Sequence, residues 1–422
     1  MLQPVLRFLV CSDVHYLDEP TYVRERFENF VRLGYDIAGQ HESYKALDAL
    51  YVVGDFLDTG TEEQFLAFKA SLDKVIREGT KVVPLLGSHE FFHAAGEREG
   101  VTTRLALVLE PEFQKVIRGE VHAVGRLRDI LGTEEDTHFV LNGFHFITVS
   151  TTRVWSQWYD TYTPEKMDWL MTQLREAAAD TPKKPVFLFQ HPHIYGTVYG
   201  KDGWSKPELC LPLAEFPQIV DFSGHSHAPC TDPRSIYQKD FTCIGTGSIS
   251  DVAYNEYDAA QGWTKADREA CGQGLLVEAD GEGNLRLLVL DPVAGVVRKE
   301  YRIDRPWDPD AFTYTEDRAK TEATPEFAAD ADITVTRKDG ELSVTFPQAV
   351  GDTVQYAVNL RRKDGSVLRR IVTFAKQIYA CPPETLTVDF GKTAPGEYTV
   401  DVRPSAPFGT RGKAIRKGFV VS

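Results

Sequence analysis

The sequence predicts a layered α/β sandwich, with a mixed sheet or two sheets, followed by a smaller all-β domain. Three observations carry that prediction. Short apolar runs alternate with helical patterns through residue 250. Two further runs, Leu275–Ala279 and Leu285–Leu290, form a hairpin around Asp280-Gly281-Glu282-Gly283-Asn284 and close the region. Past residue 304 the pattern becomes purely β.

Val5–Cys11 reads as a strand ending at Asp13-Val14-His15, followed by a charged amphipathic stretch from Tyr22 to Leu33. The run Leu50-Tyr51-Val52-Val53 suits a strand covered on both faces, and Gly54 lets the chain turn sharply to present Asp55. Phe65, Phe68, Leu72 and Val75 recur at steps of three and four, predicting a helix over Glu62–Glu78. Lys81–Leu86 is a strand that ends at Gly87-Ser88-His89-Glu90.

Residues 93–136 read as helical, with Leu105, Leu107 and Leu109 among the apolar positions, and Phe139–Ser150 as a strand. Thr163 caps the next helix, with Pro164 in its first turn and Glu165 beside it. Strands then end at His191 (Pro185–Phe189), at His225 (Ile219–Phe222) and at Gly245-Thr246-Gly247 (Phe241–Ile244).

This organisation divides the chain into an α/β domain over 1–304, a linker over 305–328 with Pro306, Pro309 and Pro325, and a β-sandwich over 329–422. Short strands in the last segment are separated by Lys338-Asp339-Gly340, Lys363-Asp364-Gly365 and Pro395-Gly396, all typical turn chemistry.

The chain has 422 residues, and its 47 basic against 62 acidic residues give a formal charge of −15. That balance argues against a protein that coats nucleic-acid phosphates or an anionic membrane. No apolar run reaches the ~20 residues needed to span a bilayer. Met1 to Pro4 lead straight into the first strand, which leaves no room for a secretory signal. Six cysteines are scattered without CxxC pairs. Reduced thiols and a cytoplasmic location are therefore expected.

Asp13, His15, Asp55, His191, His225 and His227 each follow an apolar run, and in open α/β sheets the carboxyl ends of strands are where ligands bind. Asp-x-His and His-x-His place two donors on one short turn. Mixed carboxylate and imidazole donors suit Mn, Fe or Zn rather than Mg or Ca. A carboxylate such as Asp55 can be shared between two such ions, whose joint charge activates water and stabilises a phosphoryl group. Any single motif has a plainer reading: Asp55 as a turn former, Asp58 as a cap in Asp58-Thr59-Gly60, lone histidines as surface or satisfied core residues. His193 competes with His191, which comes first after the strand. The aromatic segment Trp155–Tyr162 either walls a pocket or packs over the sheet.

Asp13-x-His15, Gly54-Asp55-x-x-Asp58, Gly87-Ser88-His89-Glu90, His191 and Gly224-His225-x-His227 together resemble the calcineurin-like metallophosphoesterases. The resemblance spans roughly residues 5 to 300 and implies their four-layer α/β/β/α sandwich. It implies two divalent or trivalent transition-metal ions, one held by Asp13, His15 and His227, the other by His191 and His225 with Ser88, and Asp55 bridging them. His89 would be catalytic, near the leaving oxygen, with Asp58 orienting it. Ser88 stands where the family usually has asparagine; Thr59 differs from the arginine of the protein-serine phosphatases, and Asp58 from the tyrosine of purple acid phosphatases. The C-terminal segment resembles a fibronectin type III or immunoglobulin-like module, on Val354–Val358 and Pro395–Val402, and is expected to pack or contact a partner protein or subunit. The implied function is hydrolysis of a small organic phosphate mono- or diester. The alternative is a catalytically weakened binding or scaffold protein that uses the same fold.

Overall fold

A computed structural model describes residues 2–18, 21–91, 122–151, 162–200, 205–258, 262–265 and 270–421. Leu105, Leu107, Leu109 and residues 155–161 lie outside them. The chain divides into two compact units. The first comprises 1–231, 235–255 and 265–315; the second comprises 232–234, 256–264 and 316–422.

The first unit is built on two six-stranded mixed sheets. In one, β1 (Pro4–Cys11), β2 (Ala49–Val53) and β3 (Lys81–Leu85) run parallel. On the other side of β1, Gly274–Asp280 pairs antiparallel with it and then with Leu285–Asp291, which pairs with Val296–Ile303. In the other sheet, β4 (Asp136–Leu141) pairs antiparallel with β5 (Phe144–Val149). Next come the parallel strands β6 (Val186–Pro192), β7 (Ile219–Gly224) and Thr242–Gly245, the last of them edged by Ile236–Gln238.

Alternation along β1 shows why its apolar run is continuous. Leu6, Phe8 and Val10 join the core between the two sheets, whereas Leu9 and Cys11 join the core under the helices. The inter-sheet core is aromatic: Tyr51 stacks on Phe189 with centroids 4.0 Å apart, and Phe8 meets the edge of Phe187 at 5.0 Å. Outside the first sheet, α1 (Tyr22–Gln40) and α2 (Glu62–Val75) contribute Phe27, Phe30, Phe65 and Phe68. Each such ring contributes about 1.5–3 kcal/mol by leaving water. A further helix, α3, covers 122–131. On the second sheet's outer face α4 (Pro164–Asp180) packs Leu170, Leu174 and Ala177 over Ile147, Leu188 and Ile219. The order helix, sheet, sheet, helix is the four-layer sandwich.

Four boundaries differ from the sequence expectation. Phe139–Ser150 is not one strand but the end of β4, a turn, and β5; Asn142 and Gly143 both take left-handed backbone (φ 53° and 76°), as a two-residue hairpin requires. Helix α2 ends at Val75 because Ile76 is extended, not at Glu78. Helix α1 runs on to Gln40, and its Gly34 lies against Leu9, where an added Cβ would come within 2.7 Å. Of the expected helical stretch 93–136, the described part is helical only over 122–131.

The second unit contains a three-stranded and a four-stranded antiparallel sheet. Leu342, Val344, Phe346, Val388 and Phe390 of one face Tyr356, Val358, Leu360, Val400 and Val402 of the other in a single core, a β-sandwich.

Candidate metal centre

Every predicted ligand sits just beyond, or at, the carboxyl end of a strand in one of the two sheets. Asp13 and His15 follow β1, Asp55 follows β2, Ser88 and His89 follow β3, His191 lies in β6, and His225 and His227 follow β7. The backbone is locally forced to aim them. Among the described residues nine non-glycine positions take left-handed backbone, and Asp13, His15, Asp55, His225 and His227 are five of them, with φ between 50° and 64°. Such conformations cost on the order of 1 kcal/mol each and collect at functional sites. The loops are tied together: Asp13 N donates to Gly54 O (3.1 Å), His15 N to Asp55 O (3.1 Å) and Ser250 N to Asp13 O (3.1 Å). Glycine is required at two neighbours. A Cβ on Gly54 would meet the His191 ring at 2.5 Å, and one on Gly87 the Asp55 carboxylate at 2.3 Å.

The side chains converge in three groups whose ligand atoms lie within 4.8 Å of one another: Asp13, His15 and His227; Asp55, His191 and His225; and His15, Asp55 and His89. In the first, His227 Nε2 lies 3.2 Å from Asp13 Oδ1 and 3.2 Å from His15 Nε2. In the second, His191 Nε2 is 2.9 Å and His225 Nδ1 4.0 Å from Asp55 Oδ2. Ser88 Oγ is 3.3 Å from that same oxygen, and His89 N donates to Asp55 Oδ1 at 2.8 Å. His193 joins none of the groups; burial holds its imidazole down at about 3.

The histidine tautomers follow from the outer contacts. His191 Nδ1 donates to Val53 O (2.8 Å) and His227 Nδ1 to Asp251 O (2.8 Å), so both turn Nε2 to the centre, where a metal would take the place of its proton. His89 Nδ1 donates to Asp58 O (2.7 Å), so Asp58 orients that ring through its backbone; its carboxylate lies 4.0 Å from His15 Nδ1. Buried Asp13 Oδ1 and His191 Nε2 have close neighbours but, among the described residues, no aligned hydrogen bond. Two anionic carboxylates with converging imidazole nitrogens fit transition-metal cations.

The titration of these groups points the same way. Burial, and then the neighbouring imidazoles His89 and His227, push His15 down to about 3, which keeps it a neutral donor. Burial likewise lowers His225. Burial opposes ionisation of Asp55, but His191 and His89 outweigh it and hold the carboxyl well below its usual range. Burial would also lower His191, yet Asp55 raises it to about 10. The carboxylates at this centre demand positive charge.

Two supporting residues were not singled out by the sequence. Glu90 is buried and accepts hydrogen bonds from Asp55 N (3.1 Å), Leu57 N (2.9 Å) and Gly87 N (2.7 Å); burial and then Asp55 push its pKa up to about 8. Asp251, whose carboxylate is 3.1 Å from His227 Nδ1, follows the strand Thr242–Gly245. The signal that could have found it is the Gly-Thr-Gly strand end just upstream. A cavity of about 430 Å³ opens on the centre, with His15, His89, His227 and Asp251 at its base and Leu17 and Tyr22 among its walls.

Fold and centre define a metal-binding α/β sandwich protein. The chain belongs to the calcineurin-like phosphoesterase family, whose model matches residues 6–229. Among solved structures it is similar to purple acid phosphatase PPD1 from yellow lupin (Lupinus luteus) seeds, with 13% identity, 73% of this chain covered and a TM-score of 0.46. The match spans 55% of that protein's length. Part of the chain is also similar to an FN3 domain of human collagen XX, with 17% identity over 24% of this chain and 99% of that one, and a TM-score of 0.17. No curated protein matches the sequence.

Proposed function

We propose that the protein is a dinuclear metallophosphoesterase acting on a small organic phosphate mono- or diester. The observation that carries this reading is the position of Asp55, common to the group with His191 and His225 and to the group with His15 and His89. One ion would be held by Asp13, His15 and His227, a second by His191, His225 and Ser88, with Asp55 shared between them. When bound, two such cations supply Lewis-acid activation of water and of the phosphoryl group.

The chain's own residues do the rest. Asp13 and Asp55 stay ionised and anchor positive charge where the phosphate arrives. His89, with Nδ1 tied to Asp58 O, keeps Nε2 turned toward Asp55 (3.9 Å) and the cavity, placed in its imidazolium form to give the Nε2 proton to a departing alkoxide and return to the neutral ring. Leu17 and Tyr22 give the organic part of the ester an apolar wall. Neither the C-terminal β-sandwich, read as fibronectin type III-like, nor the linker carries part of this chemistry.

The test is turnover of bis-p-nitrophenyl phosphate and p-nitrophenyl phosphate by Mn-loaded protein. Hydrolysis of at least one ester is expected, and its loss on chelation. No turnover of either ester by fully metallated protein would favour a binding or scaffold role instead.

A further inference from the structure

The chain is acidic as a whole, yet its C-terminal unit is not. Residues 330–422 hold 14 Lys and Arg against 10 Asp and Glu, in a chain of formal charge −15. The excess gathers on one face. In the four-stranded sheet, Arg361 and Asn359 of strand Gln355–Arg362 alternate outward. Across the register, Asn359 faces Arg370 on one side and Asp401 on the other, and Asp401 in turn faces Arg416. The inward positions Val358, Leu360, Val400 and Val402 fill the sandwich core, so the two faces differ completely in chemistry.

This outward face is hollowed into a groove of about 240 Å³. Asp401 lies on its floor and is already neutralised: Arg361 Nε donates to Asp401 Oδ2 at 2.8 Å and Asn359 Nδ2 to Oδ1 at 3.2 Å. Arg370, Arg403 and Arg411 rim the groove, are exposed, and make no side-chain hydrogen bond or ion pair among the described residues. Three guanidinium-bearing residues thus line a groove that also offers the amides and hydroxyl of Gln355, Asn359 and Ser405.

We infer that this groove binds an anionic oligosaccharide, one whose sugars carry carboxylates, as in a polyuronate. Guanidinium forks match planar carboxylates bidentately, and short amides and hydroxyls match sugar hydroxyls. A single-stranded nucleic acid would need aromatic platforms for its bases, and among the described residues no aromatic side chain lines the groove. An anionic membrane surface calls for a protruding basic and apolar surface rather than a concave one. The site is independent of the metal centre and of its proposed reaction.

The experiment is titration of the full-length chain with oligogalacturonate at low ionic strength, alongside dextran, a single-stranded DNA oligomer and anionic phospholipid vesicles. Binding of the uronate but not of dextran is expected, weakening as salt screens the contact. In R403E/R411E, affinity is expected to fall about tenfold or more. An Arg370→Ala chain provides a milder variant should the double substitution lower the melting temperature. Uronate binding that is absent, insensitive to salt, or equal in all these variants would overturn the inference. So would tighter binding of the DNA or of the vesicles than of the uronate.

Discussion

The two ends of β1 both bury charge, and they do so in opposite ways. At the amino end Arg7 is wholly enclosed, and its partners are complete: Nε donates to Glu278 Oε1 (2.8 Å), and one terminal nitrogen donates to Tyr44 O (2.7 Å) and Ala46 O (3.2 Å). Glu278 is held in turn by Arg286 at 3.1 Å. At the carboxyl end Asp13 is equally enclosed, yet its Oδ1 has no aligned hydrogen-bond donor among the described residues and its backbone is left-handed. A buried charge with every partner in place is architecture. One whose partners are unfinished, on strained backbone and beside other such groups, marks a centre built to take something else.

Substitutions at the two ends should therefore separate stability from chemistry. The largest effect is expected from Asp55→Asn, which removes the shared carboxylate charge. Turnover should fall more than about 100-fold, beyond what loss of an outer contact causes, while the melting temperature barely moves. Arg7→Ala should do the reverse, lowering unfolding free energy by about 3–5 kcal/mol in urea titrations because Glu278 is left buried and half-paired. Turnover per folded molecule should be unchanged. If Arg7→Ala instead lowers metal affinity, the two ends of the strand are not separable.

Asp251→Ala tests the outer contact of His227. The backbone carbonyl still accepts from Nδ1, so Mn affinity by calorimetry should weaken only about tenfold, the low end for such partners. Asp221 gives the smallest effect. It is a buried carboxyl whose side-chain hydrogen bonds come from neutral Gln190 (3.3 Å), and burial lifts its pKa to about 8. Because the folded value lies above the unfolded value of roughly 4, its contribution to stability is fully present below pH 4. That contribution is lost as pH rises through about 8. Asp221→Asn should flatten this decline and leave the chain no less stable at pH 8; a steeper decline would contradict the assigned environment.

Much of the fold is legible because strands buried on both faces must be written as unbroken apolar runs. That is why β1 and β2 stand out, and why Asp13 and Asp55 are visible as the first polar residues past them. The hairpin at Asn142-Gly143 was masked by the apolar Val140 and Leu141 running up to it, although Asn-Gly is itself a turn signal. Asp251 is marked in the sequence by no more than the Gly-Thr-Gly strand end upstream, because its relation to His227 is made by two loops 24 residues apart and by no periodicity. Glu90 is visible as a letter in Gly87-Ser88-His89-Glu90, but its work, accepting three backbone N–H groups, depends on a path of the chain that only the folded loops define. Arg370, Arg403 and Arg411 at the C-terminal groove were hidden by the chain's overall negative charge.

The measurement that bears most directly on the centre is metal content of the folded chain after loading with Mn, Fe or Zn and removal of free ion. Two ions per chain are expected, with the site that includes Ser88 the first to empty on dilution, since a hydroxyl is a shorter and poorer donor than an amide carbonyl. Fewer than one ion per chain, with all three metals, would contradict it.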